Sequence, residues 1–495
     1  MKILFVYPEY PETFWSFKHA LKFISKKAGH PPLGLLTVAA MLPKHWDKKL
    51  IDLNIEKLAD EDICWADYVF ISAMSIQQES AKRVIARCQE LGTKIVAGGP
   101  LFTTNFKDFP DVNHLLLGEA ENTLPLFLED LEKGRLKHLY SSAEKPNIQL
   151  TPPPLWELAN MKKYASMGIQ YSRGCPFNCD FCNVTALFGR KMRLKTKGQI
   201  LTELENLYSR GWRGSVFFVD DNFIGNKSAL KKEILPAIIY WEKEKKYPFS
   251  FNTQASINLA DDEELMRLMA DAGFGAVFVG IETPNQESLA ECGKLQNKNR
   301  DLIANIRKIQ KFGLEVRGGF ILGFDSDPSS IFDRMILFIQ KSGIATAMVG
   351  LLNAPNGTKL YQRLVKENRI IKNFSGDNTD FSINFITKMD RNVLLAGYQK
   401  VVSNLYSPKQ YYERVKILLK NFTPPKKGKS QFHFYHIKAL VKSVWFLGIR
   451  EKSRKHYWKL IVWSLFRRPK LLPLAITLSI YGSHFRKIFA AYGNL

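Results

Sequence analysis

The 495-residue sequence predicts an α/β protein: an open parallel sheet, a second strand–helix unit, and a basic, mainly helical C-terminal region. Three observations predict it. Apolar strand-like runs alternate with helical stretches over residues 1–140, and the rhythm returns from Tyr164 to Asn368. Three of the six cysteines fall within eight positions, just past the first strand of the second unit. The net charge of +24 is concentrated late: from Leu405 onward 19 Lys/Arg face only Glu413 and Glu451, leaving +17.

In the first unit, Ile3–Tyr7 reads as a buried strand, continuous and apolar. Leu33–Leu42 is helical in pattern. Further strands follow at Asp67–Ser72, Lys94–Gly98 and Val112–Leu117, with an amphipathic helix over Gln78–Leu91. Strands alternating with helices give a flavodoxin/Rossmann-like parallel sheet, whose ligands bind beyond the strands' carboxyl ends. The loops there are Pro8–Trp15, Ala73–Gln78, Gly98–Thr104 and Gly118–Asn122. Gly98 and Gly99 allow close backbone approach to a ligand. Residues 141–165, with Thr151-Pro-Pro-Pro-Leu-Trp156, read as an extended linker.

The second unit, residues 166–368, has strands at Gly168–Ser172, Ser215–Asp220, Phe249–Gln254, Ala276–Ile281, Glu315–Leu322 and Thr346–Leu352. Asp261–Glu264 opens a helix with acids at its positive end, and Gly273 closes it. The first strand leads into Cys175-x3-Cys179-x2-Cys182. Thiolates packed this tightly suit a multinuclear iron–sulfur cluster, and three local ligands leave one iron open for substrate. Zinc remains an alternative, although no second C-x2-C or H-x3-5-H pair follows. A disulfide is disfavoured by the cramped spacing and the lack of a secretory signal.

The C-x3-C-x2-C motif, with Phe181 before the last cysteine, resembles the signature of radical S-adenosylmethionine (SAM) enzymes. That resemblance implies a partial (β/α)6 barrel and a [4Fe–4S] cluster held by Cys175, Cys179 and Cys182. It also implies SAM on the open iron, cleaved to a hydrogen-abstracting radical. The Asp220–Asp221 turn and Glu282 then become candidates for SAM's polar groups, and Gly318 to Gly323 would flank adenine. On spacing alone Asp220 and Asp221 read equally well as a turn, and Glu282 needs a cation or a ribose to offset burial. Cys292 is a candidate hydrogen relay, with inert packing the stronger reading. Pro31–Thr37, Ser72–Gln77 and Gly98–Pro100 resemble the cobalamin-binding domain found ahead of some such barrels, making Ser72, Gln77, Gly98 and Gly99 cofactor candidates. No D-x-H-x-x-G occurs, so no lower cobalt ligand is assigned. Stretches 349–361, 376–386 and 405–415 resemble the subgroup containing the hopanoid C2-methylases.

The resemblance therefore implies a cobalamin-dependent radical SAM methyltransferase acting on an unactivated carbon, with a polycyclic (hopanoid-like) lipid as candidate substrate. The competing readings are a cobalamin-dependent cyclase or oxidoreductase without methyl transfer, and a non-enzymatic basic membrane or RNA-binding Fe–S protein. An external low-potential electron donor of flavodoxin or ferredoxin type is expected. In residues 369–495 the stretch Pro424–Lys429 precedes basic helices carrying Trp445, Trp458, Trp463 and Phe466, a composition suited to an anionic bilayer surface. A helical cap on the barrel competes with that reading. Nucleic acid is disfavoured, since no RRM, KH or OB pattern appears. Leu471–Tyr481 is too short to span a membrane, and a cytoplasmic, reducing location is expected.

Overall fold

The computed structural model describes residues 1–424 and 434–491; the Lys/Pro stretch beyond Pro424 lies outside the described residues. Six strands form an all-parallel first sheet: β1 (Lys2–Tyr7), β2 (Asp47–Asp52), β3 (Tyr68–Ser72), β4 (Lys94–Gly98), β5 (His114–Leu116) and β6 (Leu139–Tyr140). Their order is β2-β1-β3-β4-β5-β6. Side chains alternate across the central strands. Leu4, Val6, Val69, Ile71, Ile95 and Ala97 pack on one face, under the helix Gln78–Glu90. Ile3, Phe5, Tyr68, Phe70 and Val96 pack on the other, under helices Leu33–Met41 and Ala120–Glu132. Both faces are buried, which is why these strands read as unbroken apolar runs. β2 and β6 escape the sequence reading. Asp47-Lys-Lys-Leu-Ile-Asp52 is a half-exposed, charged edge strand, and β6 has two residues.

The second unit contains β7 (Ser166–Ile169), β8 (Ser172–Arg173), β9 (Arg193–Leu194), β10 (Gly214–Phe218), β11 (Phe249–Gln254), β12 (Phe274–Glu282), β13 (Glu315–Leu322) and β14 (Ala347–Leu351). Six of them form an open parallel sheet in the order β14-β13-β12-β11-β10-β7, the expected partial barrel. β8 and β9 make a separate antiparallel ribbon. The helix Glu263–Asp271 starts as the acids require: the Asp262 side chain accepts from the Leu265 backbone N–H at 3.0 Å. Gly273 follows it at φ +98°.

The C-terminal region is helical: Arg391–Tyr406, Pro408–Asn421, Phe434–Ser443, a π-helical turn Val444–Arg450, Arg454–Arg467 and Leu472–Ala491. The last helix returns to the N-terminus. Phe485 stacks on Phe14 with ring centroids 4.1 Å apart, and Tyr406 packs beside both. One continuous apolar core therefore joins the barrel, the segment around residues 14–36 and these helices. Leu471–Tyr481 falls mostly within Leu472–Ala491, and among the described residues no helix is long and apolar enough to cross a membrane.

Candidate active site

β7 ends at Ile169, and the chain then makes an excursion from Gly174 to Met192 closed by the β8–β9 ribbon. The three cysteines sit on this excursion, all of them free. Gly174 has φ +94°, and a Cβ there would lie 2.9 Å from the Lys191 carbonyl oxygen, so only glycine fits before Cys175. Opposite, the Asp180 N–H donates to the Cys292 carbonyl at 3.0 Å, and the Leu360 N–H donates to the Asp180 carbonyl at 2.9 Å. The cysteine loop is thus braced from three directions before any cofactor binds. Among the described residues no three Cys, His, Asp or Glu side chains gather tightly enough to clasp a single ion. A cube holds its thiolates farther apart than one ion does. Burial pushes all three thiols up, Cys182 to about 12, as suits groups that ionise only on ligation.

The barrel lumen next to this loop is polar and strained at one point. Glu282 closes β12 at φ +67°, buried, and accepts from Lys294 Nζ at 2.8 Å. The cation that its burial demanded is therefore Lys294. A Cβ at Gly280 would come within 2.9 Å of Lys294 Nζ, so that glycine makes room for the pair. Burial opposes the Lys294 charge, but Glu282 and then Cys179 outweigh it and hold its pKa above the ordinary value. Asp221, beside Gly174, is pushed up to about 7 by burial and then by Asp220. These groups fit a SAM molecule: carboxylates for an ammonium or ribose, a cation for a carboxylate, and a braced three-thiol loop for its cluster.

Several sequence candidates have other work. Asp220 is fully buried and accepts from the Tyr171 N–H at 3.1 Å and the Ser172 hydroxyl at 2.5 Å. It fastens the approach to the cysteine loop and presents no free carboxylate. Gly318 faces away from the lumen, where a Cβ would meet Phe320 at 2.7 Å; Gly319 faces in, against Phe278. Gly323 is a turn at φ +105°, its N–H given to Asp327 at 2.9 Å. Phe181 packs edge-on to Phe324 at 6.3 Å. Cys292 is buried, its thiol directed at the Leu289 carbonyl. In the first domain Gln77 is buried and ties two loops, accepting from the Met74 N–H at 2.8 Å and donating to the Pro8 carbonyl at 2.5 Å. Gly99, at φ +89°, abuts the Ser72 hydroxyl, and a Cβ at Gly98 would press on the Leu116 carbonyl at 3.0 Å. Gly98 lets β4 approach β5, and Gly99 makes room for the turn at Ser72–Ala73.

A cavity of about 570 Å³ lies where the two domains meet. The first sheet contributes Tyr7 at the end of β1 and Asn54 and Met74 from just beyond β2 and β3, at the point where strand order reverses. The barrel contributes Phe278 and Met348, and the 376–379 loop closes one side. Trp15 crosses between them, its indole N–H 3.0 Å from Met348 Sδ. A Cβ at Gly376 (φ +90°) would lie 2.3 Å from the Ile76 nitrogen, so this loop rests directly on the first domain. An aromatic- and thioether-rich space at a switch point suits the apolar face of a ligand bound across the domain junction. Sequence reasoning named the loops Pro8–Trp15 and Ala73–Gln78 but not His30, Phe278 or Met348, whose spacing carries no signal.

A buried ion network links the domains beside the cysteines. Arg173 Nη1 meets Glu119 at 2.8 Å and Arg173 Nη2 meets Glu121 at 2.7 Å, while Arg193 also reaches Glu119 at 2.8 Å. Burial works against the Glu121 charge, but Arg173 outweighs it and holds the carboxyl below the ordinary range. Glu119 and Glu121 belong to the first domain; Arg173 lies two residues before Cys175.

Two α/β units of this design, one ending strands at a large crevice and the other opening on a three-cysteine loop, are the architecture of cobalamin-binding radical SAM enzymes. Family profiles agree: B12 binding domain over residues 24–128, Radical SAM superfamily over 169–339, and Domain of unknown function (DUF4070) over 358–494. The chain is 39% identical to an uncharacterized methyltransferase of Synechocystis sp. (strain ATCC 27184 / PCC 6803 / Kazusa), over 98% of this chain and 91% of that one. It is 32% identical to the hopanoid C-2 methylase of Rhodopseudomonas palustris (strain TIE-1), over 94% of this chain and 90% of that one. Its fold matches the cobalamin-dependent SAM radical enzyme OxsB, solved with aqua-cobalamin and SAM (TM-score 0.65, 16% identity, 99% of this chain, 80% of that one). The chain belongs to the B12-binding radical SAM methyltransferase family that includes hopanoid C-2 methylase. The cofactors of that family are a [4Fe–4S] cluster, SAM and cobalamin.

Proposed function

We propose that this protein methylates an unactivated carbon of an apolar, polycyclic lipid of hopanoid type. The observation that carries the reading is the aromatic-lined cavity shared by the switch point of the first sheet and the barrel lumen. When bound, the cluster and SAM supply a hydrogen-abstracting radical, and cobalamin supplies a methyl group drawn from a second SAM. Cys175, Cys179 and Cys182 hold the cluster. Asp221 and the Glu282–Lys294 pair hold the polar groups of SAM, each in a buried setting that strengthens the contact. Phe278, Met348 and Trp15 exclude water from the reacting carbon and position an apolar skeleton by shape. Residues 1–140 form the cobalamin unit, 166–368 the radical SAM core and 369–495 a basic C-terminal region. An external flavodoxin- or ferredoxin-type donor would supply the low-potential electron that such a cluster needs, and the protein works at a membrane surface, where such a substrate resides.

The test is anaerobic reconstitution with iron, sulfide and cobalamin, then incubation with trideuteromethyl-SAM, a low-potential reductant and total host lipid. The reading predicts a deuterated polycyclic lipid by mass spectrometry. Met348→Trp, which fills the cavity, lowers lipid labelling while 5′-deoxyadenosine still forms. Deoxyadenosine without labelled lipid in the wild type would refute the lipid substrate.

A further inference from the structure

The helices Phe434–Ser443, Val444–Arg450 and Arg454–Arg467 carry an apolar face that the other described residues leave exposed. On the first two, Val441, Trp445, Phe446 and Ile449 are exposed, Val441 by 62% and Trp445 by 52%. On the third, Trp458, Val462, Leu465 and Phe466 follow at helical spacing, Phe466 exposed by 79%. The two stripes adjoin: the Trp458 indole N–H donates to the Gly448 carbonyl at 2.9 Å. Scattered exposed apolar residues are ordinary, but a joined patch is not. Charge surrounds it. Residues 437–470 hold ten Lys/Arg and one acid, Glu451. Arg486 pairs with that acid at 2.9 Å and Lys459 meets Glu413 at 3.8 Å; among the described residues the other cations of the patch face no acid within ion-pair distance.

We infer that this face is a docking surface for an anionic lipid bilayer. Tryptophan and phenylalanine with flanking lysine and arginine match the apolar interior and the charged headgroups of one leaflet. The face also lies beside a segment that lines the interdomain cavity. A cavity of about 220 Å³ beside it is lined by Lys22, Lys442, Arg450 and Lys487, with Phe446 and one acid, Glu451, which Arg486 pairs. Lys442 Nζ donates to the Lys22 carbonyl at 2.6 Å, and the Phe23 and Phe446 rings lie 5.9 Å apart. The segment bearing Lys22 and Phe23 continues from Thr13–Lys18 and into Lys27–Pro31, which line the large interdomain cavity. A phosphate headgroup in this cavity would set the bilayer against a segment that continues into the lining of the substrate space. This inference deepens the lipid-substrate reading, yet it concerns binding alone, so either can fail without the other.

The experiment is co-sedimentation of the full chain with vesicles of phosphatidylcholine alone and of phosphatidylcholine with phosphatidylglycerol at about 2:1. The inference predicts binding to the anionic vesicles, weakening with salt, and little binding to the neutral ones. Trp445→Ser with Phe466→Ser, both on exposed positions, lowers the partition coefficient about tenfold or more, and Arg450→Glu with Lys455→Glu does the same. SAM cleavage by these variants in the absence of vesicles stays at the wild-type rate, showing an intact fold. Equal vesicle binding by the variants would overturn the inference. So would self-association by sedimentation velocity, or RNA binding without vesicle binding, that the same variants abolish.

Discussion

Replacing Glu119 by Gln removes the carboxylate that two guanidiniums share at 2.8 Å each. Glu119 is buried, with a side chain 3% exposed, and Lys145 lies 4.0 Å away. At an effective dielectric of about 20, each close pair is worth roughly 4 kcal/mol before desolvation. Breaking a buried pair by removing one partner costs about 3–5 kcal/mol. Two features soften this. Arg173 keeps Glu121, and Arg193 keeps the Pro146 carbonyl at 3.1 Å and the Phe188 carbonyl at 3.0 Å. A net loss of about 2–3 kcal/mol follows, which is roughly a 30- to 150-fold rise in the population of the opened interface. Hydrogen exchange should detect it at residues 145–151, which the same network pins through the Thr151 hydroxyl and Glu121 at 2.7 Å. The cysteines remain braced from Cys292 and Leu360, so iron content should hold. The yield of methylated product per deoxyadenosine should fall as the domains lose register. Unchanged exchange at 145–151 with unchanged product yield would refute the claim that these ion pairs align the two domains.

Other perturbations act at separate points. Cys179→Ala should leave a folded protein with a large loss of reconstituted iron and no deoxyadenosine formation; full iron content would remove Cys179 from the ligand set. Gly376→Ala, at φ +90° with its Cβ 2.3 Å from the Ile76 nitrogen, should cost about 2 kcal/mol or more and speed hydrogen exchange at Ser75–Gln77. Normal exchange there would show that the loop does not rest on the first domain. Glu242 is fully buried on a helix outside the barrel, and burial pushes its pKa from 4.5 up to about 8. The folded state therefore holds a proton that the unfolded state releases, and stability should fall as pH rises from about 4.5 to about 8, by up to about 5 kcal/mol. Glu242→Gln should flatten that slope in chemical denaturation; an unchanged slope would contradict it.

The fold was legible wherever burial imposes a pattern. Apolar runs such as Ile3–Tyr7 announce strands covered on both faces, and the barrel strands were found within a few residues of their ends. β2 and β6 were not found, because an edge strand needs no apolar face and two residues carry no period. At the site, the cysteine loop was visible because its ligands are close in sequence. Lys294, Arg173 and Met348 were not assigned, because their partners Glu282, Glu119 and Trp15 lie 12, 54 and 333 positions away. Asp220 and Gln77 mislead for a related reason: polar residues at strand ends serve loops and ligands alike, and only geometry separates the two.

The central claim is tested most directly by counting co-products in the reconstituted enzyme supplied with trideuteromethyl-SAM, reductant and a polycyclic lipid. The account predicts one S-adenosylhomocysteine and one 5′-deoxyadenosine for each trideuteromethyl group found on the lipid skeleton. Deoxyadenosine formed with neither S-adenosylhomocysteine nor labelled lipid would contradict it and favour a radical reaction without methyl transfer.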